Sequence, residues 1–269
     1  MKIARIAEFG GPDVIRFDDV PLPQPGPDEV LVRVEATSFN PTEVGVRQGL
    51  VPVALPFSLG WDVAGTVVGT GERVIGFLDG GAAAEFVVAP RDRLVPAPRS
   101  VSLRHAAALP LAGLTAWQAV AEARLQPGER VLVNGAGGGI GGFVVQLAKR
   151  AGAHVIATAS ERSAAVVKAF GAGEVVDYTR DPLPRDVDVV LNLVAAVEVP
   201  AGRIVSVTTK IGTHVIARYD RAVLEALVSL VDRGELVLDV SEELSLDALR
   251  EVHRRSEAGD IRGKIVLTP

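Results

Sequence analysis

The sequence predicts an α/β chain, with a β-rich segment in front and a doubly wound sheet of parallel strands behind it. Three observations predict it. Apolar runs in the first hundred residues are short, alternate with polar positions and are broken by Gly and Pro. From residue 131 the apolar runs become continuous and alternate with helical stretches, as in strands buried on both faces of a parallel sheet. At the start of that alternation, residues 131–160 read VLVNGAGGGIGGFVVQLAKRAGAHVIATAS, which crowds glycines between an apolar run and an amphipathic one.

Composition bounds the function classes. The 269 residues are 48% hydrophobic, mostly Ala, Val and Leu, which is enough for one large domain or two modest ones with real cores. A net charge of -5 with both signs scattered leaves no basic excess to neutralise phosphates, so no nucleic-acid partner is expected. There is no cysteine, which removes disulfides, thiolate catalysis and any zinc site using Cys. MKIARIAEFG carries Lys2, Arg5 and Glu8 without an apolar signal region, and no apolar run is long enough to span a bilayer. The expectation is a soluble, cytoplasmic protein with no membrane partner.

Taken in order, PLPQPGPDE is a proline-rich loop in which no helix can form, and EVLVRVEAT alternates as a half-buried strand does. DVAGTVVGTGERVIGF and AAEFVVAP supply further short valine-rich strands. SLRHAAALPLAGLTAWQAVAEARL is helical, with Ser102 as N-cap and a break expected around Pro110 to Gly113. VLVN, HVIATA, EVVDY, DVVLNLV and RIVSVT are the strands of the parallel sheet, RAVLEALVSLVDRGE is a helix, and IRGKIVL is a strand returning to the β-rich region.

The glycine stretch carries the chemistry. AGGGIG, Ala136 to Gly141, fits the dinucleotide turn G-x-G-x-x-G with Ala in the first glycine place. Gly138 lets backbone approach a pyrophosphate, Gly139 and Ile140 complete the turn, and Gly141 lets the helix pack close on the strand. Free N–H groups and the positive dipole end at that helix start form an anion site. A strand binding a free ribose 2′-hydroxyl ends on an acid, yet IATAS ends on Ser160, nineteen residues beyond Gly141, with Arg162 following. A hydroxyl and a guanidinium in place of the acid suit a 2′-phosphate, so NADP(H) is favoured over NAD(H). The plainer alternative is that Ser160 only caps a helix and Arg162 is solvated.

EVLVRVEATSFNPTEV, LGWDVAGTVV, AALPLAGLTAWQAV, VLVNGAGGGIGGFVVQLAK, GAGEVVDYT and IRGKIVL together resemble the medium-chain dehydrogenase/reductase superfamily, in its zinc-free, quinone-oxidoreductase-like branch. The resemblance implies a GroES-like β-rich domain over 1–112, completed by 236–269, with a Rossmann NADP-binding domain over 113–235. It implies NADPH-dependent hydride transfer to a small-molecule quinone or enone, in a homodimer. It places Asn40 and Thr115 at the nicotinamide and substrate end, Ser160, Arg162 and Tyr178 around the 2′-phosphate, and Val194 and Ser206 beside the nicotinamide. Zinc-bearing relatives have a His where this chain has Trp61, so no catalytic metal is expected.

Two departures stand out. The loop LDGGA is short and Leu50 stands where an aromatic is common, which thins the cover on the substrate side. VVLNLV and RIVSVT are joined by little more than AAVEVPAG, where a parallel crossover ordinarily needs a dozen or more residues. A crossover helix is therefore expected to be missing, with a subunit contact over 194–202 covering the exposed face. No general acid stands out: His105 and His253 read as helical surface residues, His154 begins a strand and His214 has no clear place. The trimmed segments also keep open a second function, an NADPH-binding protein without redox turnover, such as a cyclase, sensor or structural subunit.

Overall fold

The structure, a computed structural model, describes residues 1–195 and 202–269. The chain divides into two compact units. The first joins Met1–Leu111, Tyr219–Glu235 and Val240–Pro269, and the second joins Ala112–Arg218 with Leu236–Asp239. The helix Arg221–Asp232, inside the expected 113–235 segment, falls in the first unit, and Leu236–Asp239, inside the expected 236–269 segment, falls in the second. Both ends of the helix explain its place. Arg221 Nη1 donates to Leu94 O at 2.8 Å, and Asp232 Oδ1 accepts from the backbone of Arg99 and Ser100.

In the first unit the alternating EVLVRVEAT run becomes the strand Glu29–Ser38, which pairs antiparallel with Asp62–Val67, Phe86–Pro90 and Lys264–Thr268. The C-terminal run therefore rejoins the β-rich region, with Val266 opposite Ser38 and Leu267 opposite Thr37. Gly60, at φ +88°, is required here: a Cβ would lie 2.2 Å from the backbone nitrogen of Ala83. Ser102 caps the helix Leu103–Ala106, its side chain accepting from His105 N. The break falls before Pro110 and not across Pro110 to Gly113. The second helix runs Pro110–Ala123, and a proline in the first turn forfeits no helical hydrogen bond.

One core of this unit holds a surprise. His253 is fully buried and not on the surface, because the helix Leu249–Glu257 turns Leu249, Val252 and His253 inward together. Its ring lies edge-on to Phe39, with centroids 5.1 Å apart. Its Nδ1 accepts from Nε of Arg47, itself fully buried and bonded to Gly10 O and Glu257. Burial and then the Arg47 charge push the imidazole down to about 3.

The second unit is a six-stranded parallel sheet in the order Glu174–Val176, His154–Thr158, Arg130–Asn134, Val189–Asn192, Arg203–Ser206, Thr213–His214. The first five are the apolar runs read from the sequence. The sixth, two residues long, gives His214 its place. Leu132, Ile156, Val187 and Val190 form its core. The connection from Val189–Asn192 to Arg203–Ser206 is residues 193–202, and 196–201 lie outside the described residues. The expected loss of a crossover helix and the expected contact over 194–202 fall largely on that segment.

Candidate functional site

The glycine turn sits at the carboxyl ends of the parallel strands, between Arg130–Asn134 and the helix Gly141–Arg150. Gly135 turns the chain at φ +93°, and the N–H groups of Gly138 and Gly141 close it onto the carbonyls of Gly135 and Gly138. Gly141 meets the strand so closely that a Cβ would lie 2.4 Å from Ala136 O. Gly138 meets nothing nearer than Gly135 O at 3.4 Å, and Gly137 through Ile140 are only half-buried. The turn is thus packed on its inner side at Gly141 and open at Gly138 and Gly139, as a backbone cradle for an anion must be.

At the tip of the second strand, Ser160, Arg162, Asp177, Tyr178 and Arg180 line one open depression together with Glu161 and Thr179. The structure therefore brings the three expected residues together. Ser160 occupies the N-cap position of the helix Glu161–Ala169, but its side chain makes no capping bond. The plainer reading of that serine loses its support. Tyr178 is exposed. Asp177 is turned upon its own loop, taking bonds from the hydroxyl and N–H of Thr179, which hold its carboxyl below the usual range. Arg180 was not foreseen; it stands 3.8 Å from Glu161 and 3.6 Å from Asp177. The signal was present in DYTR, a second guanidinium two positions beyond the tyrosine.

Val194 and Ser206 are also brought together, through Asn192, whose Nδ2 donates to Val194 O at 3.0 Å and Ser206 Oγ at 3.2 Å. Thr115 is buried on the helix Pro110–Ala123.

Asn40 lies in a buried polar cluster of the first unit. Its Nδ2 donates to Ser38 O at 3.1 Å and to Asp62 Oδ2 at 2.8 Å, and its Oδ1 accepts from Lys264 Nζ at 2.7 Å. Both amide hydrogens are spent inside the protein, so the side chain has no donor left for an enolate oxygen. Lys264 Nζ also donates to Phe39 O and faces Asp62 at 3.8 Å. Glu43, wholly buried, accepts from Asn40 N and Gly60 N. Burial pushes its carboxyl up to about 8, with Asp62 adding to the shift and Lys264 opposing it. Burial likewise lowers the Lys264 ammonium.

Residues 26–80 match the alcohol dehydrogenase GroES-like domain and residues 205–267 match the zinc-binding dehydrogenase domain. The chain is 30% identical to the chloroplastic quinone-oxidoreductase QR1 of Triphysaria versicolor, over all of this chain and 99% of that protein. The chain belongs to the medium-chain dehydrogenase/reductase superfamily, in its quinone-oxidoreductase-like branch. The quinone oxidoreductase of Coxiella burnetii superposes with a TM-score of 0.93 at 30% identity, over 100% of this chain and 99% of that one. A mycobacterial protein complexed with NADPH superposes with a TM-score of 0.85 at 27% identity, over the whole of both chains. The two units are thus the GroES-like and Rossmann parts of that superfamily's fold. Despite the matched domain's zinc-binding description, the chain has no cysteine, and no group of three or more His, Asp or Glu among the described residues could hold a metal.

Proposed function

We propose that the chain is an NADPH-dependent oxidoreductase that reduces quinones or α,β-unsaturated carbonyls without a metal. The observation that carries this is the depression beyond the second strand, where Ser160, Arg162, Tyr178 and Arg180 stand together and the serine is not consumed as a cap. Two guanidiniums with hydroxyls nearby match a dianionic 2′-phosphate. The residues present fit the cofactor: Gly138 to Gly141 would hold its pyrophosphate, the depression its 2′-phosphate, and Val194 and Ser206 would stand beside its nicotinamide. When bound, the dihydronicotinamide supplies the hydride.

The chain's own residues orient and exclude. Asn40 and Thr115 keep the substrate-end placement that the family gives them, but Asn40 acts as a fixed wall and not as a proton or hydrogen-bond donor, since its amide is committed to Ser38 and Asp62. His253 is buried in the core of the first unit against Arg47 and Phe39 and is not the general acid, and we assign the proton to solvent. The comparisons lend no support to a protein that binds NADPH without turnover. A cytoplasmic homodimer without nucleic-acid or membrane partners completes the proposal. It accords with the net charge of -5 and with there being, among the described residues, no helix long and apolar enough to cross a membrane.

The test is an NADPH-oxidation screen across quinones, enones and enoyl thioesters, with NADPH binding measured in parallel. Turnover of at least one class is expected. Tight binding with no turnover of any would overturn the redox reading.

A further inference from the structure

We propose that Asn192 is a positioning residue, the centre of a hydrogen-bond ladder across four strand ends that fixes Val194 over the glycine turn. The inference rests on the NADPH reading above. Parallel strands buried on both faces are expected to be apolar to their tips. Here four neighbouring strands close on Thr158, Asn134, Asn192 and Ser206, every one of them buried. Such groups cost free energy unless each donor and acceptor is met, so four in a row need a reason.

From Gly135 to Ser206 the bonds run in one direction, and at Ser206 they meet donors from the far side. Gly135 N–H donates to Thr158 Oγ1 at 2.8 Å, whose own hydroxyl donates to Asn134 Oδ1 at 3.1 Å. Asn134 Nδ2 donates to Asn192 Oδ1 at 3.0 Å, which fixes the Asn192 amide with its nitrogen toward Ser206 and Val194. Ser206 Oγ lies 3.0 Å from Thr209 Oγ1 and accepts from Thr209 N at 3.2 Å. A chain of aligned bonds of this kind is mutually strengthening, and it starts on the glycine turn itself.

Its output is the Val194 carbonyl, which takes one bond from Asn192 Nδ2 and another from Thr208 Oγ1 at 2.7 Å. The Val194 side chain is seated as firmly: a Cβ on Gly135 would lie 2.7 Å from Val194 Cγ1. The residue is thus held by backbone from one side and against the turn from the other. Asn192 at its strand tip and Thr208 just beyond the next strand thus set the carbonyl of this wall of the nicotinamide end.

The test compares wild type, Asn192→Leu, Asn192→Asp and Thr208→Val. Each is assayed for kcat with a naphthoquinone, for melting temperature, and for binding of 2′,5′-ADP, which lacks a nicotinamide. Asn192→Leu should lower kcat about 10- to 100-fold, as a misplaced reacting group does, while 2′,5′-ADP binding stays within about twofold. Asn192→Asp keeps the acceptor but turns a second acceptor onto the Val194 carbonyl, so it should lower kcat at least as far as Asn192→Leu. Thr208→Val removes one of two donors to Val194 and should cost kcat about threefold. If Asn192→Leu does not fold, Thr208→Val decides, and an unchanged kcat there overturns the inference. Loss of kcat and 2′,5′-ADP binding in parallel would show a merely structural ladder. A wild type that neither binds 2′,5′-ADP nor oxidises NADPH would instead sink the cofactor reading beneath it.

Discussion

Arg162 and Arg180 bear on cofactor choice through the same depression. NADPH should bind at least tenfold tighter than NADH, about 1.4 kcal/mol. Arg162→Ala should shrink the gap and the Arg162→Ala, Arg180→Ala pair should abolish it, as read by fluorescence titration; equal wild-type affinities would remove the 2′-phosphate argument. Glu43 makes a second residue-scale prediction. One ammonium, Lys264, faces two buried carboxyls, Asp62 and Glu43, and the fold favours the neutral acid at Glu43, raised from 4.5 to about 8. The stability it confers is complete below pH 4.5 and is lost as pH rises through 8, on the order of a few kcal/mol. The wild-type melting temperature should therefore fall between pH 5 and 9, and Glu43→Gln should flatten that fall. Such features were only partly legible beforehand. Ser160 and Arg162 were readable because local spacing defines a strand tip, and Arg180 stood in the same stretch. The locked Asn40 amide was not, because Lys264, its partner, is 224 positions away and reaches it only through the sheet. His253 misled for the same reason: a polar residue on a charged helix says nothing of the Arg47 that meets it in the core.

The helix that opens on the glycine turn shows how two glycines of one motif do different work. A Cβ at Gly141 would strike Ala136 backbone at 2.4 Å, where nothing can yield, so Gly141→Ala should push the helix off the strand and cost about 1–3 kcal/mol of stability. At Gly138 the nearest atom is 3.4 Å away, so Gly138→Ala should leave the apo melting temperature nearly unchanged yet weaken NADPH at least about tenfold by filling the pyrophosphate approach. Calorimetry and a binding titration on both variants check this; a Gly138→Ala protein that binds normally would displace the pyrophosphate from the turn. Elements of this size were the most legible part of the chain. Period and apolarity marked five of the six parallel strands, most plainly Arg130–Asn134, His154–Thr158 and Val189–Asn192, which are buried along nearly their whole length. The two-residue strand Thr213–His214 carries no period to read, and the helix break was misplaced because a proline signals a start as well as a stop.

For the whole molecule, the telling quantity is length. The alignment with the Triphysaria relative runs over 326 positions, of which this chain can fill at most its 269 residues, so over fifty positions there have no counterpart here. The short loop Leu78–Ala82 and the connection 193–202 are where the sequence itself shows trimming. A trimmed sheet must still deal with its open side. The strand Thr213–His214 stands at the edge of the parallel sheet, flanked by Ile211, 37% exposed, and Ile216, 71% exposed. An edge with unpaired backbone groups beside apolar side chains invites pairing, and a two-fold contact would bury each isoleucine twice. Covering a fully exposed isoleucine is worth roughly 1.5–3 kcal/mol, so each Ile216, 71% exposed, would gain most of that and each Ile211, 37% exposed, about a third. The edge at 211–216 is thus a second candidate for the subunit contact beside the expected 194–202. Light scattering at micromolar concentration should give a dimer, and Ile216→Lys with Ile211→Lys should give a monomer that still binds NADPH, because neither side chain lines the depression proposed for the 2′-phosphate. A wild-type monomer, or a double variant that stays dimeric, would place the association elsewhere on the chain.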